Sequence, residues 1–332
     1  MTGKMNESSF SILNFFRSLI IKSDSTHIYR IGIGLSEDRT RSLQILQIFD
    51  KMFQITSFNS ISQKVQLIFY AYPSSLLDSD IEEYTKIHSM CFHKTLTPES
   101  DLMFDLEKKN IDAIIRGSIS ANKLLSAIKH AYYSTESIAL FRLAILETAT
   151  DNQFFFAPVG IDEAETIEMK VKFIKYSIDF FQKIELDTKI NILGEGRIGD
   201  KGRSVILDEK LENTMKFLEL TKSLIHLPNS TKNTNDGYQN IEYKEILIEN
   251  AIENRSCMVF APDGISGNLI YRTLIHLGAG KSYGALYLRE YLEKNRVIID
   301  TSRVAPDFEL TGALIFAIGL LAKKHEVANS TQ

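Results

Sequence analysis

The sequence is poor in the residues that mark a covalent framework or a metal centre. Its only cysteines, Cys91 and Cys257, share no CxxC or other ligand spacing. Two separate thiols fit a reducing cytoplasm. The seven histidines, at positions 27, 88, 93, 130, 226, 276 and 325, form no HxH or HExxH pattern, so no metal is expected. There is no GxSxG elbow and no Cys–His pairing to suggest a nucleophile. No basic block offsets the formal net charge of −4, which argues against a general nucleic-acid binder. Long apolar runs are missing too. Phe10 to Ile21 is interrupted by Arg17, and Leu310 to Ala322 contains Gly312 and Gly319. Neither reaches the roughly 20 apolar residues of a bilayer span, and no small-residue cleavage site follows the first. The expectation is a cytoplasmic protein with no membrane partner. No internal repeat is visible.

What is present suits a globular chain of two domains: 332 residues, 44% hydrophobic and 24% charged. Strand and helix patterns alternate. Tyr29 to Gly34, Val65 to Ala71, Ile111 to Ile115, Ile138 to Leu146, Gln153 to Ala157, Lys189 to Leu193, Cys257 to Ala261 and Val297 to Ile299 are short apolar runs. Helical spacing covers Arg41 to Phe53, Ala121 to Tyr132, Asp162 to Gln182, Asp208 to Leu224, Tyr243 to Ile252 and the stretch beyond Asp307 or Thr311. Asn229 to Asn240 is polar and reads as a loop. Pro73 to His93 and Ser282 to Lys294 give no firm pattern, beyond a helix near Ile81 to Ser89. The alternation predicts βαβ units, a largely parallel sheet and helices on both faces.

Several turns after predicted strands combine small residues with a basic side chain. Cys257 to Ala261 runs through Pro262 into Asp263-Gly264-Ile265-Ser266-Gly267-Asn268, and then into a helix with Leu269, Ile270, Leu274, Ile275 and Leu277 at helical spacing. A strand, a small-residue turn and a helix can present backbone N–H groups to an anion; a tight connection without a ligand fits the same residues. Gly194-Glu195-Gly196-Arg197-Ile198-Gly199 matches GxGxxG after a strand, but the following charged loop and helix show no second strand at the distance a dinucleotide site needs. With Lys201, Gly202 and Arg203 it suits a loop over a phosphate-bearing ligand, or an exposed basic loop. Asp300-Thr301-Ser302-Arg303 sits at a strand end, where Arg303 could clamp an anion or pair with Asp300. Arg116-Gly117-Ser118 and Glu37-Asp38-Arg39 follow strands in the same manner.

Taken in order, these turns resemble the motifs of phosphotransacetylases. PDGISGN followed by Tyr271 resembles their PD-x-x-x-GN-x-x-YK block, Asp300-Thr301-Ser302-Arg303 their D-L-S-R-G strand end, Glu37 to Thr40 their E-D-x-R-T-L turn, and Ile111 to Ser118 their DG-x-VSG strand and turn. Within that superfamily PDGISGNLIYRTL, the Arg-Gly-Ser after the third strand and SRVAPDFELTGAL are similar to the MtxX family, a methanogen-associated, archaeal branch whose members are named as methyltransferase subunits. The resemblance implies a two-domain, three-layer αβα fold of the isocitrate/isopropylmalate dehydrogenase-like kind. Residues 1–149 and 297–332 would form the first α/β domain, and 150–296 an inserted second one carrying a homodimer interface, with the ligand cleft between them.

The resemblance also assigns roles. Arg303 takes the place of the family arginine that holds phosphate or an acyl oxygen, and Ser302 the serine that supports developing charge. The base toward a thiol falls on Glu309, with Asp307 as its rival. Arg39, Arg116, Gly117, Ser118, Gly194, Gly196, Asp263, Ser266, Gly267 and Asn268 are the candidate anion-binding residues. Three departures weaken the phosphate and coenzyme A chemistry: the Ser/Thr-rich segment is shortened to Ile119-Ser120-Ala121-Asn122 with Lys123 where its arginine would be, GEGRIGDKG replaces S-Y-S-T-K-G, and Val304 replaces a glycine. The expectation is an MtxX-like transferase of methanogen one-carbon metabolism acting on a small anionic ligand such as a pterin, coenzyme M or coenzyme A. The alternatives are a phosphate acyltransferase and a non-catalytic cofactor-binding subunit.

Overall fold

The computed structural model describes residues 11–23, 27–55, 58–86, 90–133, 140–225, 241–252 and 257–330. Its first elements are α1 (Ile12–Lys22), β1 (Tyr29–Leu35), α2 (Arg39–Gln54), α3 (Asn59–Ser62), β2 (Val65–Ala71), α4 (Asp78–Lys86), β3 (Met90–Lys94), α5 (Pro98–Glu107), β4 (Ala113–Ile115) and α6 (Ala121–Tyr132). Next come β5 (Arg142–Glu147), β6 (Gln153–Ala157), α7 (Ile167–Ile184), β7 (Lys189–Ile192), α8 (Val205–Ile225), β8 (Ile241–Tyr243), α9 (Ile248–Ala251), β9 (Cys257–Phe260) and α10 (Gly264–His276). The chain ends with β10 (Lys281–Tyr287), α11 (Leu288–Glu293), β11 (Val297–Asp300) and α12 (Asp307–Ser330). No described helix is long and apolar enough to cross a membrane.

Two compact units result. An outer unit joins Leu13–Ile138 to Ser282–Gln332, and a nested unit joins Met1–Ile12 to Ala139–Lys281. These joints differ from the expected 149/150 and 296/297. The reason is hairpin pairing: β5 runs antiparallel to β6, with Ala144 opposite Phe156, and β10 antiparallel to β11, with Ala285 opposite Asp300. Each strand therefore goes with its partner. Both units are α/β with mostly parallel strands.

In the outer unit the strand order is β3-β2-β1-β4-β11-β10, parallel except at the β10–β11 pair. β1 is flanked on both edges, and its YRIGIGL sequence is nearly continuous apolar because both faces are covered. Asp38 caps α2 by accepting from the Arg41 N–H at 3.1 Å, and Ile45, Leu46, Ile48 and Phe49 fill its buried face. The β1→β2 and β3→β4 connections run in opposite directions along the sheet, so right-handed crossovers put α2 and α5 on opposite faces. α12 packs on α2 and on β4 and β11. It is buried almost all round, through Leu310, Leu314, Phe316, Ile318 and Leu320. Such a helix has to be covered. Phe16 of α1 does so, its ring 4.8 Å from that of Phe316.

The nested unit has the order β5-β6-β9-β7-β8, antiparallel at β5–β6 and parallel elsewhere. Its core is aromatic: Phe155 meets Phe181 at 5.0 Å and Phe173 meets Phe260 at 5.5 Å, both edge to face.

One local expectation is corrected, and two further stretches gain a description the sequence did not supply. Tyr243 to Ile252 is not one helix. Ile241–Tyr243 pairs with β7 as an edge strand, the left-handed residue Glu245 (φ 55°) ends it, and only Ile248–Ala251 is helical. The unassigned stretches before His93 and after Ser282 contain β3 and β10. The helical spacing of Leu269 to Leu277 does not mark a core face. Within α10 only Gly264 and Gly267 are buried, while Ile265 is 63% exposed and Leu269 61%; Leu277, just past the helix, is 84% exposed. The expected loop at Asn229 to Asn240, with His88 and His226, lies outside the described residues.

Candidate functional site

The carboxyl ends of β1, β4 and β11 gather most of the candidate residues of the outer unit. Arg116 closes β4, and its backbone N–H donates to the Ile299 carbonyl at 3.0 Å. Its side chain is buried. Nε donates to Asp300 Oδ1 at 2.5 Å, Nη1 to the Ile119 carbonyl at 2.9 Å, and Nη2 to the Thr301 carbonyl. Gly117 follows with φ +64°, where a Cβ would lie 2.3 Å from the Gly34 carbonyl oxygen, so only glycine fits this turn. Ser118 accepts from the Ser36 N–H at 2.9 Å and donates its own N–H to the Gly34 carbonyl at 3.0 Å. Arg39 forms a bidentate pair with Asp80 at 2.9 and 2.8 Å. These four residues, proposed from sequence as anion binders, are engaged by the protein itself. Arg116, Gly117 and Ser118 build the strand-end joint, and Arg39 ties α2 to α4.

Ser302 and Glu309 meet beside that joint, with Arg303 next in the chain. The Ser302 N–H donates to Glu309 Oε1 at 2.6 Å. Glu309 is 1% exposed, and burial raises its pKa from the ordinary 4.5 to about 7. The Ser302 N–H and the charges of Arg116 and Arg41 oppose that rise, while the Asp300 carboxylate adds to it. Asp307, the rival carboxylate, is exposed. The Arg303 side chain is exposed and makes no hydrogen bond or ion pair among the described residues, whereas its carbonyl accepts from Arg41 Nε at 3.1 Å. Arg41 was missed in the sequence. It also donates from Nη2 to the Ala305 carbonyl at 2.6 Å, pinning the 303–305 turn to α2.

A second polar group in the outer unit lies where α5 and α6 begin. Lys123 Nζ donates to the Tyr72 hydroxyl at 2.9 Å, and that hydroxyl lies 3.0 and 3.1 Å from the two oxygens of buried Glu99. The trio stands at one end of a groove of about 1040 Å³ between the two helices, lined also by Met103, Phe104 and Leu125.

The nested unit's candidates mostly hold their own loops. Asp263 caps α10, accepting from the Ser266 N–H at 2.8 Å and the Ser266 hydroxyl at 3.2 Å. Gly267 is where α10 meets the 158–160 backbone: a Cβ there would lie 2.0 Å from the Pro158 carbonyl oxygen. Asn268 donates to the Val159 carbonyl at 2.9 Å. The other side of that turn is fixed by buried Glu163, which accepts from the Val159 and Gly160 N–H groups at 3.1 Å each and from Arg142 at 2.6 Å. Gly194 makes room for Tyr243, whose hydroxyl donates to the Gly196 carbonyl at 3.0 Å, while Gly196 makes room for Leu207. The GxGxxG match is thus a loop closed by a tyrosine. Glu195 pairs with Lys210 at 2.8 Å. Glu195 and Asp263 both lie close enough to Lys170, a residue sequence reasoning passed over, for their charges to act on its amine. Among the described residues no cluster of His, Cys, Asp and Glu is arranged to hold a metal ion.

No family model matches the chain. Individual relatives do. The chain is 36% identical over 233 residues to a protein of Methanosarcina mazei named "Putative methyltransferase mtx subunit X", which covers 70% of this chain and 75% of the relative. A protein of the same name from Methanosarcina acetivorans is 36% identical over 232 residues, again 70% and 75%. An uncharacterized methyltransferase of Methanocaldococcus jannaschii is 31% identical over 247 residues, covering 72% and 92%. Among solved structures, the EutD phosphotransacetylase from Staphylococcus aureus has a TM-score of 0.61 at 10% identity over 95% of this chain and 100% of its own. A branched-chain phosphotransacylase from Enterococcus faecalis has a TM-score of 0.60 at 14% identity over 89% and 100%. Those likenesses establish a phosphotransacetylase-like fold.

The two arginines should separate in mutagenesis. Arg116→Met strands the Asp300 charge and should cost about 3 kcal/mol of stability by chemical denaturation, whereas Arg303→Ala should stay within about 0.5 kcal/mol. Equal losses would refute the division. Glu309 makes a pH prediction. Because its folded-state pKa is raised, its contribution to stability is fully present below the ordinary carboxyl pKa and lost as pH rises from 4.5 to about 7. Glu309→Gln should therefore gain stability over the wild type across that window, up to about 3 kcal/mol at about 1.4 kcal/mol per pKa unit. A difference that is flat with pH would show that Glu309 ionises normally.

Proposed function

The chain belongs to the methyltransferase mtx subunit X family, and from that premise we propose that it is a group transferase of methanogen one-carbon metabolism. It works in the reduced cytoplasm, where its free thiols Cys91 and Cys257 persist. The ligand is a small anion, a pterin or coenzyme M, handled at the carboxyl edge of the outer unit's sheet. One observation carries this reading: a buried carboxyl tuned close to neutrality, Glu309, accepts from the N–H of Ser302, and the next residue, Arg303, has a side chain with no hydrogen bond or ion pair among the described residues. A general base is most effective when its pKa lies near the working pH, and tuned acids concentrate at functional sites. In this scheme Arg303 holds the anionic group with its planar fork, the Ser302 hydroxyl supports charge that develops during transfer, and Glu309 takes the proton of an incoming thiol. Asp307 is exposed and stays the second choice for that proton.

The same groups suit acyl transfer between coenzyme A and phosphate, the alternative that the phosphotransacetylase-like fold supports. A non-catalytic cofactor-binding subunit is the third reading, and a carboxyl held near neutrality weighs against it. Incubation of the purified chain with a methylated pterin and coenzyme M, followed by mass spectrometry, should reveal methylated thiol whose formation rises through about pH 7 with Glu309. Arg303→Ala should lower kcat/KM by roughly a hundredfold. Thiol release from acetyl-coenzyme A that requires phosphate would select the acyltransferase instead. Binding of these ligands without any turnover would end the transferase reading.

We also propose that the chain forms a homodimer through the nested unit. Support comes from Ile265, Leu269 and Leu277, large apolar side chains on and just beyond α10 that the unit leaves uncovered. Sedimentation should give a dimer that Leu269→Asp converts to a monomer. A wild-type monomer at micromolar concentration would remove the idea.

A further inference from the structure

The nested unit contains an amine whose setting no structural role explains. Lys170 is the fourth residue of α7 and is half-buried. The unit's strand order turns back at this place: the chain runs from β6 to β7 and β8, then returns to lay β9 between β6 and β7. Ligands of open α/β sheets bind outside the carboxyl ends of strands where the order reverses. Two loops leave the sheet there. One carries Gly194, Glu195 and Gly196 from β7; the other carries Asp263 from β9. The charges of Glu195 and Asp263 both reach the Lys170 amine, as does that of Lys210.

Neither acid serves as its counter-ion. Glu195 is held by Lys210 at 2.8 Å, and both oxygens of Asp263 are taken by Ser266. The Lys170 N–H donates to the Thr166 carbonyl at 3.0 Å, but its side chain makes no hydrogen bond or ion pair among the described residues. An amine withdrawn from water with no partner is costly. A surface lysine could instead lay its stem on apolar neighbours and keep its head in solvent; this one is half-buried in the first turn of α7, and burial lowers the pKa of its amine. Lys210 adds a second positive charge on the next helix.

We propose that Lys170 is the cation of an oxyanion subsite in the nested unit, which takes a tetrahedral phosphate or sulfonate group at the carboxyl ends of β7 and β9. This rests on the reading that the ligand is anionic, and it adds a residue and a group to that reading. The bound group supplies the direct contact that Glu195 and Asp263, engaged by Lys210 and Ser266, do not make with the amine. The Glu195–Lys210 pair and the Asp263 cap keep both carboxylates out of the way.

Lysine acetylation of the intact chain at neutral pH, resolved by mass spectrometry, tests the subsite in the wild type. Lys170 should react faster than exposed Lys201, and saturating inorganic phosphate or methanesulfonate should slow it about tenfold, a change of the size one ion pair makes on desolvation. Whichever anion protects at lower concentration identifies the source of the group. In thermal melts the anion-dependent rise in Tm should vanish in Lys170→Met and return in Lys170→Arg. Labelling of Lys170 that neither anion changes, or an undiminished Tm shift in Lys170→Met, would overturn the proposal. The transferase reading is judged separately through Arg303→Ala. Protection of Lys170 that persists in that variant upholds the subsite even if no turnover is found, and turnover lost with Arg303 but accompanied by an unprotected Lys170 rejects the subsite alone.

Discussion

The buried charge of Arg116 is the constraint on which the outer unit's functional edge depends. A guanidinium removed from water must find its partners at once. Here they come from β11 and its exit, Asp300 and the Thr301 carbonyl, and from the turn that follows β4, the Ile119 carbonyl. The pairing fixes where β11 ends, so Thr301-Ser302-Arg303 leaves the sheet at a set point. Gly117 and Ser118 then tie the same turn to the end of β1, and Arg41 ties the 303–305 turn to α2. In this group, among the described residues, the Arg303 guanidinium faces solvent with no hydrogen bond or ion pair. A rigid frame that leaves one cation unused is what a recognition site requires.

The fold was legible to the extent that its signals were local. Near-continuous apolar runs such as Tyr29 to Gly34 and Cys257 to Ala261 are what strands covered on both faces must look like, and the helix at Ala121 to Tyr132 is found at the predicted limits. β3 and β8 were lost because edge strands pair on one side and need little apolar sequence; β3 reads MCFHK and β8 reads IEY. The face of α10 was misleading for a different reason. Its contacts run through glycine, which leaves no apolar mark, and its large side chains point away from the unit's own core.

The site was legible only as a set of turns. Arg116 and Arg39 read as free cations because their partners lie 184 and 41 positions away in the chain. Composition at a turn says that a charge is there, not that it is already satisfied. Glu309 and Asp307 looked alike, two positions apart at the start of one helix. Burial separates them: α12 is covered nearly all round, and Glu309 lies on the inward side while Asp307 does not. Lys170 carried no signal at all, since a lysine in the first turns of an amphipathic helix is ordinary until the surrounding acids prove to be occupied.

The fold shared with phosphotransacetylases does not by itself carry their reaction over, because function follows the site and not the scaffold. Two of the loops where this chain departs from that pattern have identifiable structural causes. The GEGRIG loop replaces a polar serine-rich segment and is closed by Tyr243 and by Glu245, whose carbonyl and carboxylate take the N–H groups of Gly194 and Ile198 at 2.7 and 2.9 Å. Those donors are therefore spent internally and cannot cradle a phosphate as a run of free N–H groups would. Lys123 is drawn to Tyr72 and Glu99. In the proposed reading the anion is met by side chains instead, Arg303 in one unit and Lys170 in the other. Arginine and lysine carry their charges on flexible stems, so they accommodate ligands of different shape better than a fixed backbone cradle does.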